Sequence, residues 1–312
     1  GSSSLDGSDI NLQSSAASIN ASGLSAGDDI LLTAATTIAL NGGTTLGLGI
    51  TGGDSSIRTT GGDTTLSGLN AFSDVVVAAN GTANITGAVR AGNDVIVNAN
   101  AVTLADIPSS GDPIDTIAAG RDIAITSAAN ISDGGALTAG RNLTLTADGS
   151  IGITKAESGD GGEMTLVGVT GIDADQLYSR GATTLTADDG VVRIGTMGSL
   201  GDVSVSANSL DIGTSGPITF ASIVTDVGDA TIGSNNRLIV DNASIAGTAR
   251  FSNSGEHMII RNLTANAAEF NANEMLSMTS VSVTNALNAD AGTTIAIDGV
   301  VTGRDISLAS AD

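Results

Sequence analysis

Of the 33 acidic residues in this 312-residue chain, 28 are aspartate, and their spacing raises the question of a cation site. Asp29, Asp94, Asp122, Asp202 and Asp305 each stand immediately ahead of an apolar-x-apolar segment. Asp28 with Asp29, Asp188 with Asp189, and Asp173 with Asp175 bring carboxylates close enough in sequence to offer oxygen ligands to a hard cation such as calcium. Asp28, Asp29, Asp188 and Asp189 are the metal candidates. The calcium-binding nonapeptide GGxGxDxUx is absent. Recurrence at one turn position is also what a carboxylate needs to cap backbone N–H groups. Turn capping is the reading this pattern favours, and no cofactor is expected.

Other reactive side chains are sparse. His257 is the only histidine and there is no cysteine, so imidazole–thiolate metal sites and thiol nucleophiles are excluded. No base–nucleophile pair is spaced around His257, and no catalytic residue is assigned. Enzymes that cleave polysaccharides combine carboxylates with basic residues and aromatic platforms. Here Lys155 is the single lysine, there is one tyrosine, and tryptophan is absent. An enzyme is not expected. The glycine-x-glycine pieces do not lead from one buried strand into a helix, so they carry no phosphate-binding signal.

The elements that must position these residues are legible from composition. Hydrophobic residues make up 41% of the chain but aromatics only 2%, so the core has to be thin and built from Val, Ile, Leu and Ala. With five Glu and one Lys, the usual residues of exposed helices are nearly missing. A net charge of -22 repels nucleic acid and anionic membranes. No apolar run of about 18 residues offers a membrane span. The opening Gly-Ser-Ser-Ser reads as a tag remnant ahead of mid-protein sequence.

One phrase recurs. AGRDIAITSA at Ala119–Ala128 returns as AGRNLTLTAD from Ala139, and variants begin at Gly7, Ala26, Ala91, Gly161, Gly181, Leu200 and Thr302. Each is a polar turn feeding a strand of period two. Inward pairs Ile10/Leu12, Ile30/Leu32, Val75/Val77, Val95/Val97, Ile123/Ile125, Leu143/Leu145, Met164/Leu166, Thr183/Leu185 and Val203/Val205 define the column. It then runs through Ile232, Phe251, Phe270, Ala289 and Leu308 at intervals of 19. Parallel columns are Val240, Ile259, Met278 and Ile297, and Leu238, His257, Leu276 and Ile295, which place His257 partly in the core.

Short strands at this period predict an all-β parallel β-helix, one coil of about 19–21 residues per repeat, stacked so that each inward side chain meets its own copy. Residues 1–208 are expected to form coils of about 20, with loop insertions near 41–62 and 106–115. Residues 209–312 are expected to continue it in coils of about 19. Glycine and asparagine at the corners are expected to supply unusual backbone angles. Outward threonines at 126, 144, 146, 165, 184 and 186 suggest an ice-binding face, but the array fades to Arg250/Ser252, Glu269/Asn271 and Asn288/Asp290.

With the repeat laid out, AGRDIAITSA, GGALTAGRNLTLTADG and TGRDISLAS resemble the filamentous-haemagglutinin-type repeats of large bacterial exoproteins and adhesins of the two-partner secretion family. The resemblance is strongest from Val89 to Ala207 and again near Val301. It implies a right-handed parallel β-helix, export through a partner outer-membrane transporter, and a secreted or cell-surface location. It also implies a monomeric rod that serves as the shaft of an adhesin, with no membrane insertion and a host receptor or glycan not specified by the repeat. The alternatives are a glycan-binding module using the loops near 41–62 or 106–115, a polysaccharide-active β-helix, and the ice-binding face.

Overall fold

The structure is a computed structural model of the chain that describes residues 4–5, 9–45, 53–107, 115–132, 134–214 and 218–311. Among these, every regular element is a strand. Two compact units are present, 1–162 and 163–312. Each is a parallel β-solenoid in which strands pair with their equivalents one coil away.

In the first unit the main inward column is Ile10, Ile30, Ser55, Val75, Val95, Ile123 and Leu143, paired in parallel at each step. Alternation sends these residues inward and their neighbours to solvent, so Leu32, Val77, Val97 and Leu145 are fully buried. The sequence reading stepped from Ile30/Leu32 to Val75/Val77. The structure inserts the strand Ser55–Thr59 between them, with Ile57 stacked between Leu32 and Val77. A buried serine in the first inward position hides that coil from a hydrophobic count.

The long steps fall where loops were expected. Asp29 to Asp54 spans 25 residues and Asp94 to Asp122 spans 28. Residues 46–52 and 108–114, the middle of the loops expected near 41–62 and 106–115, lie outside the described residues. At the base of the second, Asp106 Oδ1 accepts hydrogen bonds from Gly135 N–H and Thr154 Oγ1, both at 2.9 Å. Asp115 Oδ1 accepts one from Thr138 Oγ1 at 2.8 Å.

In the second unit the columns run differently from the expectation. Val205 continues to Ile223, Ala243, Leu263 and Val281. Ile232 belongs to a separate face, between Ile212 and Phe251, and that face keeps the 19-residue step through Phe270, Ala289 and Leu308. Its two phenylalanines stack, with ring centroids 5.7 Å apart. On a third face Leu238 pairs with Met258, and Met258 with Leu276, so Met258 takes the inward place expected for His257. Val240 likewise pairs with Ile260, not Ile259. One coil is a residue longer than the period and the next a residue shorter, and a one-residue slip reverses every side chain of a strand.

The same correction restores the outward array. Ser204 pairs with Ser222, Val224 with Ser244, Ser244 with Thr264 and Thr264 with Ser282. Within the second unit the outward hydroxyls of this face therefore persist from Ser204 to Ser282. The Arg250/Ser252, Glu269/Asn271 and Asn288/Asp290 pairs lie on another face.

Between strands, Gly53, Gly68, Gly134, Gly135 and Gly161 take positive φ as expected, but the glycines of the AGR phrase act otherwise. Gly120 and Gly140 do not have positive φ. A Cβ on Gly120 would overlap the carbonyl oxygen of Gly92, and one on Gly140 that of Gly120. Glycine is required there by the close approach of one coil's backbone to the next, not by the bend.

Candidate functional site

The aspartates ahead of the strands form a ladder in the first unit. Asp29 N–H donates to Asp9 Oδ1 at 3.3 Å, and Asp54 N–H to Asp29 Oδ1 at 2.9 Å. The pattern continues with Asp74 N–H to Asp54, Asp94 N–H to Asp74, Asp122 N–H to Asp94 and Asn142 N–H to Asp122, at 3.0–3.1 Å. Each carboxylate thus satisfies the backbone of the next coil, at a corner where no strand ladder can. Asp9, Asp54 and Asp74 belong to this ladder and were not singled out by the sequence. Their signal was the same: an aspartate one residue before an inward apolar or small residue.

The arginines of the AGR phrase reinforce the ladder, each reaching back to the aspartate that the N–H of its own next residue also contacts. Arg121 grips Asp94 through Nε (3.1 Å) and Nη2 (2.6 Å). Arg141 grips Asp122 in the same two-pronged way, with Nε at 2.8 Å. The hydrogen bond from Arg141 holds the Asp122 carboxyl down from 3.8 to about 2, helped by the Asn142 N–H. Asp229 repeats the device in the second unit: the Thr248 N–H first, then Arg250, lower its pKa.

The metal candidates separate. Asp28 and Asp29 do come together with Asp9, their oxygens within 4.8 Å of one another. Gly53 N–H bonds to both Asp28 Oδ1 (3.0 Å) and Asp29 Oδ1 (2.9 Å), so these oxygens already serve the backbone. Asp188 and Asp189 are exposed and, among the described residues, join no group of three ligating side chains. Asp173 and Asp175 project outward from the strand Gly171–Ser179. Asp202 and Asp305 are exposed ahead of their inward residues. His257 is 45% exposed, with Nδ1 3.7 Å from Glu274 Oε2.

No family model, curated protein or solved structure matches the chain.

Beyond the ladders, the second unit carries a concavity that sequence reasoning missed. One outward column runs Arg193, Asp211, Thr231, Arg250, Glu269, Asn288 and Ser307. Beside it run Gly213, Gly233, Ser252, Asn271, Asp290 and Ala309. A groove of about 500 Å³ lies over the Thr231–Ala309 part, and a second hollow over Arg193–Ser252 shares Thr231 and Ser252 with it. Arg250 is held from both sides, by Asp229 and by Glu269 (Nε–Oε2 3.4 Å). The only sequence signal was a pair of glycines, Gly213 and Gly233, inside strands.

Proposed function

We propose that this chain is a structural shaft segment of a secreted or cell-surface bacterial adhesin, holding attachment domains away from the cell. The observation that carries the reading is where the repeated chemistry goes. In the AGRD phrase, glycine admits the coil below, arginine clamps the aspartate one coil back, and aspartate caps the N–H one coil on. The phrase specifies stacking, and a stack of unlimited coils serves reach rather than turnover. The haemagglutinin-type wording of the same phrases supports export through a partner transporter. A cysteine-free chain meets no disulfide barrier on that route.

The test is surface labelling. Antibodies raised against residues 1–312 are applied to intact Gram-negative cells expressing the parent gene, with and without its neighbouring outer-membrane transporter gene. The expected result is labelling of intact cells that disappears with the transporter. Antigen found only after lysis in both strains would refute the proposal.

A further inference from the structure

We propose that the groove along the Thr231–Ala309 face binds a linear, neutral, polyhydroxylated chain, that is, a glycan lying along the stacking direction. This goes beyond the shaft reading and stands without it.

Gly233 is the first observation. Its φ is not positive, and a Cβ there would meet only Ser252 Oγ at 3.7 Å, an ordinary contact. Neither the backbone nor the packing of the described residues requires glycine. An interior strand glycine costs stability relative to alanine. Gly120 and Gly140 differ, since the adjacent coil excludes any side chain there. What the missing side chain at Gly233 does provide is an open floor to the second hollow, beside Thr231 and Ser252, which line both hollows. Gly233 pairs in register with Gly213 and Ser252 without a bulge, and no other backbone comes close, so of the usual reasons for a strand glycine the approach of a ligand is the one left.

The walls define the ligand's chemistry. Arg250 is already bound by two carboxylates, so it offers no free cation for a phosphate or uronate chain. The Phe251 and Phe270 rings point into the core, 1% and 3% exposed, which leaves no apolar pocket for a peptide side chain. The face is the flat of a sheet, not an edge, so it cannot extend its ladder with a peptide strand. Ser252, Asn271, Asn288 and Asp290 remain, exposed and repeated coil after coil. Amides and a hydroxyl both donate to and accept from neutral hydroxyl groups, and a carboxylate accepts from them. Because they recur at about 4.8 Å per coil, they suit a chain with its own short repeat.

The experiment is NMR titration of the isotope-labelled chain with cellohexaose, mannohexaose and xylohexaose. Hexagalacturonate serves as the anionic probe and hexalysine as the cationic one. At least one neutral hexaose is expected to shift the amides of Gly233, Ser252 and Asn271. Gly233→Leu is expected to weaken that binding about tenfold or more by filling the floor, with an unchanged thermal midpoint. Ser244→Leu, on the hydroxyl face, is expected to leave binding intact. The proposal fails if no neutral hexaose binds, if only hexalysine or hexagalacturonate does, or if Gly233→Leu binds as well as the parent. It also fails if Ser244→Leu loses as much affinity. Surface labelling of cells is unaffected by any of these outcomes, so the two proposals fail separately.

Discussion

At the residue scale, the aspartates show how a repeated turn carboxylate ties one coil to the next. Asp28 and Asp29 were candidates for calcium; in the fold their oxygens receive backbone N–H groups from the next coil. Asp122 is the clearest case, because Arg141 and the Asn142 N–H both favour its charged form. Its folded pKa, about 2, lies below the ordinary 3.8. The charge therefore stabilises the fold above about pH 4, and that contribution is lost as pH falls through about 2. Asp122→Asn keeps an acceptor for the Asn142 N–H but loses the ion pair with Arg141. We expect it to cost about 1 kcal/mol at pH 7, discounted for its partial solvent exposure. The difference from the parent should shrink steadily as pH falls from about 4 to about 2 and vanish below that in denaturant titrations run across the range. A deficit independent of pH would show that the charge is not what matters. The aspartate spacing pointed to capping but not to which N–H or arginine each carboxylate meets, because the partner lies some 20 residues away.

At the element scale, the strands were legible and their alignment only partly so. Period-two alternation bounded by glycine and aspartate located Ile123–Ser127 and Leu143–Ala147, and these pair as the phrase implied. The misplacements share a cause. All three faces of a coil carry similar apolar-x-apolar text, so a column can pass from one face to another, as it did in the longer step from Val205 to Ile232. The coil containing Ile57 was lost because Ser55 and Thr59 hold inward positions. His257 and Met258 provide a direct test of register. Met258→Asp would bury an unpaired carboxylate and should destabilise by several kcal/mol, roughly 3 or more. His257→Asp should change stability by about 0.5 kcal/mol or less. Chemical denaturation of both variants decides the matter, and the reverse ranking would restore the column through His257.

At the scale of the whole molecule, charge is the dominant uncompensated quantity. Acidic residues outnumber basic ones by 33 to 11, so repulsion outweighs the Arg–Asp pairs that salt would weaken. Lowering NaCl from about 150 mM to about 10 mM lengthens the screening distance roughly fourfold. It should lower the thermal midpoint by several degrees in a calorimetric scan; a midpoint that rises would mean the ion pairs dominate. The sequence by itself determined the class of structure: a cysteine-free, aromatic-poor, turn-punctuated repeat can bury its small apolar residues only by stacking coil on coil. It also determined the chemistry available, which is carboxylates and amides without thiols and with a single imidazole. The tertiary structure decided which of those groups meet. Coil lengths vary by a residue or more, and each change of length rotates side chains between core and surface. Only the folded register makes Asp9 through Asp122 one ladder, turns His257 outward, and gathers Ser252, Asn271 and Asp290 beside Gly233 on a single open face.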